Sequence, residues 1–122
     1  MGMDIFGFNG NYFRANIWQW RCVIYVLETM DYDVPILWTY NDGAGLSERE
    51  DCEALADLVE TFLRHWDGDH LEVPTELIAV CPETGAVVEP GTPDSVTPFR
   101  INRSHLEEFV RFLRECDGFE IH

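Results

Sequence analysis

The sequence predicts an α+β fold: a single compact domain over residues 1–122, with about three helices and a small, mostly antiparallel sheet, the first helix central and buried. Three observations carry this expectation. A long, almost wholly apolar segment of helical period lies near the N-terminus. Two later segments repeat apolar residues at steps of three and four behind a Ser-x-x-Glu signature. Short apolar runs punctuated by Gly and Pro occupy both ends of the chain and the stretch 71–101. The chain is 46% hydrophobic and 13% aromatic, enough to bury a core. Acidic disordered chains, by contrast, are poor in aromatics.

Residues 3–8 suit a short strand, closed off by Gly10 and Asn11. From Tyr12 to about Met30 the pattern predicts a helix, with Phe13, Ile17, Trp20, Ile24 and Leu27 as its stripe. Trp18, Cys22, Val23, Tyr25, Val26 and Met30 make most of its circumference apolar, the mark of a buried helix. Arg14, Arg21 and Glu28 form its one polar line. Val34 to Tyr40 reads as a strand, with Pro35 near its start. A loop, Asn41-Asp42-Gly43-Ala44-Gly45, leads to a capping box of Ser47 and Glu50. The second helix follows, packing Cys52, Leu55, Val59, Phe62 and Trp66 and ending near Asp67-Gly68. Leu77–Cys81 and Ala86–Val88 flank Pro82-Glu83-Thr84-Gly85 as a hairpin, and 89–98 is a loop. Ser104 and Glu107 repeat the capping-box spacing before a third helix. Its inward residues are Leu106, Phe109, Val110, Leu113 and Cys116, with Gly118 at its C-terminal cap and a last strand over 119–121.

Charge is regional. The net charge is −15, and the segment from Asp31 to Asp94 carries −14 of it, whereas residues 1–30 balance to zero. A field of that sign repels nucleic acid and attracts basic surfaces. All eight basic residues are arginines. With no lysine there is no Schiff-base lysine, P-loop lysine or Ser–Lys pair. Arginine favours planar pairing with carboxylates, so internal neutralisation of some acids is expected.

Motifs for catalysis or metal binding are weak. Asn41 to Gly45 before a helix could cradle a phosphate, but Glu48, Glu50 and Asp51 would repel one. Asp67, Asp69, His70 and Glu72 are potential ligands without the spacing of a calcium loop. Cys22, Cys52, Cys81 and Cys116 are too far apart for a zinc knuckle, and three of them fall on buried helix faces. Neighbouring Ser104 and His105 cannot face each other on a helix, and no Gly-x-Ser-x-Gly is present. No metal and no cofactor is expected.

The opening Met1-Gly2-Met3-Asp4, the string Tyr12-Phe13-Arg14-Ala15-Asn16 with Trp18-Gln19-Trp20-Arg21, Asn41 to Leu46, Pro98-Phe99, and Phe109 to Arg114 with Cys116 and Gly118-Phe119 go together. They resemble a family of small uncharacterised proteins of bacteria and their phages over nearly the whole length. Cys22 stands where that family pattern has proline, and Asp117 where it has glycine. The resemblance implies one compact domain in a bacterial or phage setting and brings no reaction with it.

Two readings of the acids stay open. Glu50, Glu53, Asp57 and Glu60 form either a solvated helix face or part of a surface imitating a phosphate backbone. The second would need Asp31, Asp33, Asp42, Glu48, Asp51, Asp67, Asp69, Glu72 and Glu76 as well. The expectation is a non-enzymatic, cytoplasmic, phage- or prophage-type inhibitor. It occupies the basic groove of a nucleic-acid-binding protein as a DNA mimic, as some anti-CRISPR proteins do. The residues expected at its partner are Asp31, Asp33, Asp42, Glu48, Glu50, Glu53, Asp57, Glu60, Asp67 and Asp69. It would bind neither nucleic acid nor membrane directly. One alternative is a ligand pocket or small active site built from Arg14, Asn16, Arg21 and Asp42. The other is a self-associating subunit that buries its aromatics in a homodimer.

Overall fold

The computed structural model describes residues 2–40, 42–73, 75 and 78–122. In chain order its elements are β1 (Gly2–Gly7), β2 (Tyr12–Asn16), α1 (Ile17–Thr29), a 3-10 turn (Ile36–Thr39), β3 (Gly45–Leu46), α2 (Arg49–Arg64), β4 (His70–Glu72), β5 (Ala79–Val80), β6 (Val87–Val88), β7 (Arg100–Asn102), α3 (Arg103–Glu115) and β8 (Phe119–Ile121). The four-stranded sheet runs β2-β1-β8-β3 and is antiparallel throughout. Two smaller antiparallel pairs, β4–β7 and β5–β6, complete the α+β fold.

β2 corrects the expected start of the first helix. Tyr12 to Asn16 alternate outward and inward, so they pair with β1 and send Phe13 and Ala15 into the core. Arg14 therefore leaves the helix's polar line. The helix begins at a capping box that the sequence holds in plain sight. The Asn16 side chain accepts from the Gln19 backbone N–H (2.7 Å), and the Gln19 side chain accepts from the Asn16 N–H (2.9 Å). Two donors that a helix N-terminus leaves unpaired are satisfied reciprocally.

α1 then buries Trp20, Cys22, Val23, Ile24, Val26 and Leu27 and packs on the sheet, β7 and α2. It ends in a Schellman motif: Asp31 N–H donates to the Glu28 carbonyl and Tyr32 N–H to the Leu27 carbonyl. Asp31 takes the left-handed position with φ 61°, which glycine usually fills.

Residues 36–39 form a 3-10 turn where a strand was expected. Pro35 precedes it with no N–H to give a ladder. Trp38 is the anchor, 1% exposed, and its carbonyl accepts from the Trp20 indole (2.7 Å). The Trp38 ring also packs on Tyr32 and Phe119, at 5.9 and 5.6 Å. Beyond the turn, β3 crosses β8 so closely that a Cβ on Gly45 would collide with the Phe119 carbonyl. Only glycine, which has no Cβ, fits there.

Both later capping boxes are absent. α2 starts after Glu48 and α3 after Asn102, and neither cap residue makes a side-chain bond. Asn102 is held opposite His70 by β7, and Arg103 N–H donates to the Asp69 carbonyl (2.7 Å), which starts α3 ahead of Ser104. The packed stripe of α2 is Cys52, Leu55, Ala56, Val59 and Leu63; Phe62 is half-buried and Trp66 lies beyond the helix end. In α3 Phe112 is buried and Val110 only half-buried, so the inward set is Leu106, Phe109, Phe112 and Leu113. The α3 cap residue is Cys116; Gly118, two further on, turns the chain into β8 with φ 124°. The expected hairpin forms, with Ala79 opposite Val88 and Val80 opposite Val87. Leu77, its expected first residue, lies outside the described residues.

Candidate functional site

The acidic face of α2 is less free than its sequence suggests. α3 packs alongside α2 and delivers Arg114 to Asp57 (2.8 Å) and Glu60 (3.0 Å). Arg64 also pairs with Glu60 from one turn away, and Arg49 lies 3.7 Å from both Glu53 and Asp117. The hydrogen bonds from Arg114 and Arg64 hold the Glu60 carboxyl below its usual range. Three of the four stripe carboxylates thus face arginines. Glu53, Asp57 and Glu60 form the rim of the packed helices, partly exposed and each beside an arginine, whereas Glu50 has no ion pair among the described residues.

The other end of α2 is capped rather than charged. The Arg103 guanidinium donates to the carbonyls of Leu63 (2.6 Å), Trp66 and Gly68. It takes up carbonyls that a helix C-terminus leaves unpaired. The guanidinium carbon lies 5.5 Å from the centre of the Trp66 ring, close enough for a cation–π attraction. Asp67 and Asp69 sit beside this cap. The length of α2 separates them from Glu50, roughly 20 Å at a rise of about 1.5 Å per helical residue. They do not share a patch with the acids before α2.

The earlier acids are exposed. Burial raises the Tyr32 phenol pKa, and the charges of Asp51, Cys52 and Asp33 raise it further. Asp31, Asp33, Asp42, Glu48, Glu50 and Asp51 have no ion pair among the described residues. Between Asp33 and Asp42 stands a group of side chains that sequence reasoning missed. Because Trp38 is pinned inside, its neighbours are forced outward: Ile36 is 74%, Leu37 58% and Tyr40 54% exposed. Covering one such side chain gains about 1.5–3 kcal/mol, so three together form a ready contact surface. The available signal was a short apolar run behind Pro35 with acids on both flanks.

The alternative ligand pocket is not assembled. Arg14 lies on β2 with its Nε 3.7 Å from Asp4 and lines a depression shared with Arg111 and Glu115. Asn16 is committed as the α1 cap. Arg21 lines a different cleft with Trp18 and Phe99, and Asp42 is exposed in the loop before β3. No described cavity contains all four. Glu72 engages Arg100 (2.8 Å) beside His70, and no three metal-ligating side chains gather among the described residues. His105 donates to the Arg14 carbonyl (2.8 Å) and stacks on Phe13 (4.9 Å) rather than serving Ser104.

No protein-family model, curated protein or solved structure matches this chain. No helix among the described residues is long and apolar enough to cross a membrane.

Proposed function

We propose that this is a non-enzymatic interaction protein that occupies the basic, nucleic-acid-binding groove of another protein. The observation that carries the reading is the exposed Ile36-Leu37-Tyr40 group, flanked in the chain by Asp31, Asp33 and Asp42, whose carboxylates have no ion pair among the described residues. An apolar centre within a charged rim is the anatomy of a protein contact, and a negative rim selects a positive partner. Asp51, Glu48 and Glu50 extend the same field along the start of α2. The proposed mechanism is occlusion: the acids take the place of phosphates and the apolar turn fills the groove, in the manner of a phage-type DNA mimic. The contact is confined to this end of the molecule, since the α2 stripe is spoken for by Arg49, Arg64 and Arg114.

The test is a salt-titrated pull-down from the native host with three forms of the chain: wild type, Asp31→Asn/Asp33→Asn/Asp42→Asn, and Ile36→Ser/Leu37→Ser/Tyr40→Ser. The expected result is a nucleic-acid-binding protein that moderate salt releases, that duplex DNA displaces, and that both variants fail to retain. A partner held equally by all three forms, or indifferent to DNA, would overturn the reading.

A further inference from the structure

α1 leaves one line of side chains uncovered: Ile17, Arg21, Tyr25 and Glu28. Ile17 is 37% and Tyr25 42% exposed. The same four side chains line a cleft of about 440 Å³, whose apolar wall is completed by Trp18, Ile24, Val73 and Phe99. Arg21 and Glu28 are two helical turns apart, so they share a face at a spacing of about 10 Å. Neither has an ion pair among the described residues. The helical part of this face belongs to the one long segment without net charge, residues 1–30.

We propose that this face is a self-complementary interface through which two copies of the chain pair with their α1 helices antiparallel. A two-fold axis passing between Ile24 and Tyr25 sets Arg21 of each copy against Glu28 of the other. The same axis brings Tyr25 of each copy to the apolar cleft of its mate. One positive and one negative group, equally far from the axis, match their own reverse. A uniformly basic partner would leave Arg21 facing like charge, and a small apolar ligand would leave both charged walls of the cleft, Arg21 and Glu28, without a counter-ion. Pairing here brings the acidic middle segment into the contact only through the uncharged Val73, so its carboxylates are not set against those of the other copy. The pairing is independent of the contact proposed for Ile36, Leu37 and Tyr40, and changes at Asp31, Asp33 and Asp42 leave it untouched.

Sedimentation of the full chain over a concentration series tests the pairing, using wild type, Arg21→Glu, Glu28→Arg and the double exchange. The expected result is a wild-type dimer. Each single reversal sets two like-charged contacts across the axis and weakens pairing roughly 100-fold, while the double exchange restores it. Helical circular dichroism checks that the variants fold. As a measurement free of charge changes, Tyr25→Cys in a Cys81→Ser background is expected to give a covalent dimer on mild oxidation. A wild-type chain that stays monomeric at every concentration overturns the proposal and leaves the cleft to another occupant. A double exchange no better than the single reversals overturns it as well, as does a Tyr25→Cys chain that fails to cross-link.

Discussion

Among single residues, the four cysteines separate most sharply. Cys22, Cys52 and Cys116 are wholly buried, and burial pushes the Cys22 and Cys52 thiols up to about 12. Cys81 is half-buried at the start of the β5–β6 turn, where the backbone N–H groups of Thr84 and Glu83 point at its sulfur and lower its pKa. The thiolate is the reactive form. Iodoacetamide is therefore expected to alkylate Cys81 first, at a pH below the ordinary thiol range of about 8.5, and the other three only after denaturation. Peptide mapping of the adducts would show this; a Cys81 that reacts only under alkaline conditions would refute the N–H cradle. Burial of the first three was legible in the sequence, because each follows a helix stripe. The chemistry of Cys81 was not, since the hairpin could be read from Pro82 to Gly85 but the aim of its amides could not.

At the scale of elements, the clasp of Arg114 on Asp57 and Glu60 ties α3 to α2. The Glu60 pKa is lowered in the folded chain. Its contribution is therefore present above the unfolded carboxyl value, about 4.3, and is lost as pH falls through the lower folded value. Glu60→Gln is expected to lower Tm by a few degrees at pH 7, and the gap from wild type should close on acidification through that window. Paired thermal melts would show it; a gap that persists undiminished in acid would mean that the clasp adds nothing through charge. The acids of α2 were visible in the sequence, but their partner was not, because Arg114 reaches Glu60 from 54 residues away through tertiary packing. The β2–α1 boundary was misread for a different reason. Phe13 satisfies both a period of two and a step of four to Ile17, and the Asn16–Gln19 box that decides between them was passed over. The 34–40 run was read as a strand because composition cannot show that Trp38 alone of these residues is fully buried.

For the molecule as a whole, net charge opposes compaction. At −15 the folded chain repels itself, and among the described residues Glu48, Glu50 and Asp51 at the start of α2 have no ion pair. Raising salt from low to physiological levels is expected to raise Tm, because screening weakens this repulsion. The same change should weaken the proposed contact with a basic partner. Thermal melts over a sodium chloride series would check the first effect; a falling Tm would mean that the arginine pairs outweigh the repulsion. The location of the charge was plain in the sequence. What was hidden was its division into an α2 rim paired with arginines, acids at Asp31, Asp33 and Asp51 that have no ion pair among the described residues, and a separate pair at Asp67 and Asp69.

The strands are woven rather than laid down in order. β8 sits between β1 and β3, β7 pairs with β4, and α3 lies against α2. Everything after the exposed 82–94 segment is thus gripped by everything before it. A protease that severs the backbone in that segment would cut the covalent thread without releasing either piece. The two fragments would part on a denaturing gel and travel as one body through a sizing column, a natural seam at which to split this protein and let it reassemble.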